Sequence, residues 1–120
     1  MVNAVAWLIF ALGIGHIAYG IFRFREALID AAWDGFVGQF GAPEVRRTAF
    51  WFFVFGPLLM LAGHAALHAA ASGDFALLKM IGAYLFVTAA VGVAAFPKSP
   101  FLAALLVSPV LVAAGYGWVA

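Results

Sequence analysis

The chain has 120 residues, 68% of them apolar and 9% charged, with a formal net charge of +1. Soluble domains are about half apolar and a quarter charged, so the balance excludes a water-soluble globular protein and indicates a membrane protein. Six basic residues make no nucleic-acid footprint, and the lack of cysteine rules out disulfides, thiolate metal sites and cysteine nucleophiles.

Hydrocarbon offers the backbone no hydrogen-bond partners, and the apolar runs are continuous rather than alternating, which selects helices over a barrel. The first run predicts a span over Val2–Phe22. It has no basic leader and no obvious cleavage site after small residues, so it reads as a retained span. The joint that follows, "RFREALIDAAWDGF", carries Glu26, Asp30 and Asp34 at intervals of four, with Leu28, Ile29, Trp33 and Phe36 on other faces. It predicts an amphipathic helical segment over 23–36, ended by Gly35, that continues span one or lies on the membrane surface. Continued without a break, it would align His16, Arg23, Asp30 and Asp34 on one stripe. Carboxylates so spaced repel one another, so they are solvated, paired with arginines or held together for a purpose.

Span two is predicted at Thr48–Ala69, span three at Ala76–Phe96 and span four at Pro100–Val119, each near the roughly 20 residues a bilayer core requires. Ser72–Asp74 forms the turn between spans two and three, and "FPKSP" breaks spans three and four. Pro57 and Pro109 fall inside spans, where each removes a backbone donor, and the many glycines suit close helix packing. The expected fold is all-α: one transmembrane domain over residues 1–120, an integral membrane four-helix bundle with a cytoplasmic amphipathic extension after the first span. Arg23, Arg25, Arg46, Arg47 and Lys98 lie in joints one and three, against Lys79 near the opposite side. The positive-inside rule then makes those joints cytoplasmic and puts both termini outside the cytoplasmic membrane.

Three histidines are candidates for chemistry. At about 1.5 Å per residue from the inner boundary, His16 lies about 9 Å deep, His64 about 24 Å and His68 about 30 Å. A gap of about 15 Å is too wide for one tetrahedral metal or for two axial ligands of one haem. His64 and His68, one turn apart, could ligate a divalent metal or supply one axial haem ligand, with only Asp74 near enough to extend the shell. The plainer alternative is a pair of interfacial histidines satisfied by water or lipid headgroups. His16 lies at hydrocarbon depth, where an ionisable side chain faces the bundle interior and is a functional candidate by default. Trp51, Phe55, Thr88 and Ser108 fall at neighbouring depths and are expected to line one inward pocket with it. Bonding of His16 to a serine or threonine across the bundle, as helix glue, is the structural alternative.

"GIGHIAYG" at Gly13–Gly20, "AFWFFVFGPLLMLAG" at Ala49–Gly63 and "FPKSPF" at Phe96–Phe101 resemble a family of small four-span bacterial membrane proteins of unknown function. That resemblance implies a fold and no activity. Small multidrug resistance transporters are similar in length and span count and carry a glutamate within span one. Here no glutamate stands in that span, only His16 could replace it, and the charge bias is clear where theirs tends to be weak.

The expectation is therefore a bilayer protein that binds a hydrophobic small molecule inside the bundle. In an enzymatic form His16 would be the acid or base, with Asp30 or Asp34 as orienting or complementary group, for isomerisation or ring opening. A proton-coupled carrier using His16 and a haem or metal protein using His64 or His68 are the alternatives. Four short spans enclose little interior, which favours a homo-oligomer.

Overall fold

The computed structural model describes residues 1–120 and contains helices and no strand. In chain order these are α1 (Val2–Arg23), α2 (Arg25–Trp33), α3 (Glu44–Ser72), α4 (Phe75–Ala95) and α5 (Phe101–Gly115). Helices α1, α3 and α4, with 22, 29 and 21 residues, are long and apolar enough to cross a membrane. Exposed Trp7, Leu8, Ile14, Phe22, Leu61, Val87, Val91 and Leu106 give the surface an apolar character suited to hydrocarbon.

Three segments differ from their sequence-based bounds; the first is span two, expected over Thr48–Ala69, which as α3 begins earlier at Glu44 and ends later at Ser72. Helix α5 has 15 residues and stops at Gly115 rather than running to Val119. The Trp118 N–H reaches back to the Ala113 carbonyl (2.9 Å) and the Gly117 N–H to Ala114 (2.9 Å), the Schellman arrangement that closes a helix however apolar the next residues are. The segment expected over 23–36 forms a helix only from Arg25 to Trp33, set off from α1 at Phe24 (φ −113°, ψ 20°). The helical ladder is intact on either side of that residue, with the Phe24 N–H on Gly20 (2.9 Å) and the Leu28 N–H on Phe24 (3.0 Å), and breaks between them. The stripe of His16, Arg23, Asp30 and Asp34 required an unbroken helix, and the interruption at Phe24 removes that condition.

The chain packs as two compact units, Ala11–Leu61 and Met1–Phe10 with Ala62–Ala120. In the first, α1 and α3 approach at Gly13 and Gly56. A Cβ on Gly13 would stand 2.6 Å from the Gly56 carbonyl oxygen, and one on Gly56 would stand 2.9 Å from that of Gly13, so only hydrogen fits. The joint is tied down from α3: Arg46 donates to Asp34 (2.6 Å) and Gln39 (3.2 Å), and Arg47 to the Gly41 carbonyl (2.6 Å). Rings of Phe36, Phe40, Phe50 and Trp51 follow one another in edge-to-face and tilted contacts, with centroids 5.1 to 5.6 Å apart.

In the other unit, Ala6, Ile9, Ala66, Ala69 and Leu78 are buried, and Gly63 lies against Ala6 and Phe10. Helices α4 and α5 run antiparallel, with Gly82 facing Val112 and Gly92 facing Phe101. The α3–α4 turn uses Gly73 (φ +69°), a backbone conformation side chains resist, so that the Asp74 N–H can reach the Ala69 carbonyl (2.8 Å). Asp74 at once caps α4 by accepting from the Leu77 N–H (2.9 Å). Pro109 has no N–H for the Leu105 carbonyl four residues back, and the buried Ser108 hydroxyl donates to that oxygen at 3.5 Å.

Candidate functional site

Small residues set the register that builds the site. Ala6, Gly13 and Gly20 on α1 and Ala49, Gly56 and Gly63 on α3 recur every seven residues, and all are buried. Gly13 faces Gly56, Gly63 faces Ala6, and Gly20 faces Phe52. That antiparallel register puts His16 opposite the aromatic turn "FFVF", Phe52 to Phe55.

The His16 imidazole is half-buried and lies flat on the Phe52 ring, with centroids 3.9 Å apart and planes 14° apart. Phe55 meets it edge-on at 5.4 Å. Tyr19 and Phe24 close on the other parts of Phe52 at 5.8 and 5.4 Å. One stacked ring and one edge-on ring hold the histidine by aromatic contact, with two tilted rings beside them, a surface suited to flat or apolar molecules.

The other candidates are distributed as follows. Trp51 belongs to the His16 unit but is exposed and packs on Phe50. Asp34 is taken by Arg46 in the chain's ion pair, with side chains 57% and 12% exposed, so its carboxylate is committed to the joint. Asp30 is exposed, and neither carboxylate forms an ion pair with His16. Thr88 and Ser108 belong to the other unit, Thr88 exposed and Ser108 turned back on its own helix. His64 and His68 belong to that unit too and are exposed. Asp74 is occupied in its helix cap, and no group of three or more His, Asp or Glu side chains is gathered so as to hold a metal ion.

Phe52 is the central residue that the sequence pattern does not single out, along with Tyr19 and Phe24. Its signal is the paired seven-residue spacing of small residues, which fixes what His16 faces before any side chain is placed.

The family model described as "Family of unknown function (DUF6463)" matches residues 2–118. No curated protein and no solved structure matches the chain.

Proposed function

We propose, for a chain that belongs to this family of unknown function and takes no activity from it, an integral membrane protein that binds a small hydrophobic molecule at the His16 cluster. The observation that carries the reading is the stack of His16 on Phe52 within an apolar span, flanked by Phe55, Tyr19 and Phe24. Aromatic walls supply affinity for an apolar or planar body, and one imidazole supplies the hydrogen bond that orients it. Binding fits these residues better than acid–base catalysis, because Asp34 is held by Arg46 and Asp30 faces outward.

In this reading the four longer helices form one bundle, with joints one and three on the cytoplasmic side and several copies associating in the bilayer. The arginines of joint one support that sidedness, and the bond from the Met1 amino group to the Ala120 carbonyl (3.1 Å) supports placing both termini on one side.

The test is to purify the chain from membranes, extract it with organic solvent and compare the released molecules by mass spectrometry with those from His16→Ala. One hydrophobic species should accompany the native chain and fall about tenfold in the variant, the equivalent of one lost oriented hydrogen bond. Identical extracts from two equally helical proteins would overturn the proposal.

A further inference from the structure

A second feature, which shares Phe24 with the His16 cluster, lies where α1 gives way to α2. Phe22, Arg23, Phe24, Arg25, Glu26 and Ala27, with Val45 opposite, line an open cleft of about 360 Å³. Neither arginine forms an ion pair; their guanidinium groups rest near phenyl rings, Arg23 5.5 Å from Phe24 and Arg25 5.8 Å from Phe22. Two cations and one carboxylate leave the cleft one positive charge in excess, at the end of an apolar span.

We propose that this cleft binds the phosphodiester headgroup of an anionic phospholipid, of the phosphatidylglycerol kind. The two guanidinium forks match phosphate oxygens, and a cation–π contact with a phenyl ring favours each without neutralising it. Glu26 accepts from the glycerol hydroxyls, groups that a choline headgroup lacks. A lipid, rather than free phosphate, is indicated by the α1 face that leads away from the cleft. Ile14, Ala18, Ile21 and Phe22 share that face and are exposed, and Gly15 and Ala18 make it shallow enough for an acyl chain.

Native mass spectrometry of the full chain, stripped of lipid and offered phosphatidylglycerol and phosphatidylcholine in equal amounts, tests the site. The native protein should keep phosphatidylglycerol about tenfold better, as expected for two arginines at an anionic surface. Arg23→Gln with Arg25→Gln should bring it to the phosphatidylcholine level, while His16→Ala should leave it unchanged, which separates this site from the aromatic cluster. Should the double glutamine variant fail to fold, Arg23→Lys with Arg25→Lys keeps the charge without the forks and should retain an intermediate amount. Equal retention of both lipids by the native chain, or full retention in a folded arginine variant, overturns the proposal. So does displacement by excess inorganic phosphate, which would make the site one for a soluble anion.

Discussion

Gly56 shows how one hydrogen atom governs the approach of two helices. A Cβ there would meet the side chain of Ile17 and the backbone of Gly13, and backbone cannot swing aside as a side chain does. Gly56→Val should lower stability by about 1–3 kcal/mol, read as a fall in the thermal midpoint in detergent. Gly15→Ala, whose new carbon meets nothing within 4 Å, should be neutral or mildly stabilising. Equal losses in the two variants would remove close packing as the role of Gly56. His16 was legible as a candidate because an ionisable group within an apolar run is costly and calls for a reason. Its partner was not, because depth along a helix says how far in a residue lies and nothing about which way it points. Facing direction comes from Gly13 and Gly56, and Phe52 follows from them.

Helix ends depend on local hydrogen bonding more than on hydropathy. Asp74 accepts from Leu77 at the start of α4, so Asp74→Ala should cost about 1 kcal/mol, while Asp74→Ser should restore most of it. Unfolding of the three proteins in the same detergent measures this, and an unchanged midpoint in the alanine variant would count against the cap. This turn was readable in advance because Ser72, Gly73 and Asp74 are each typical of their positions. The end of α5 was not, since Tyr116, Trp118 and Val119 prolong the apolar run while the backbone has already closed on Ala113 and Ala114. The interruption at Phe24 likewise has no proline or glycine to announce it.

For the whole molecule, arginine placement is the strongest guide to orientation. The chain contains no cysteine, so single cysteines can be introduced at exposed positions without background. In intact cells an impermeant maleimide should reach Asn3→Cys and Ser72→Cys, and should reach Val37→Cys and Lys98→Cys only after the membrane is opened. The reverse pattern would invert the proposed topology, and a split between Val37 and Lys98 would break the four-span arrangement. The seven-residue recurrence of Ala6, Gly13 and Gly20 also restricts how this chain can vary in length. One residue inserted between Gly13 and Gly20 turns everything beyond it by about 100°, bringing the Tyr19 phenol into the slot where Gly20 admits the Phe52 ring. Length changes within α1 and α3 are then tolerable only as whole heptads, or as matched insertions in both helices. Gaps of other sizes among related chains should fall in the 34–43 joint instead.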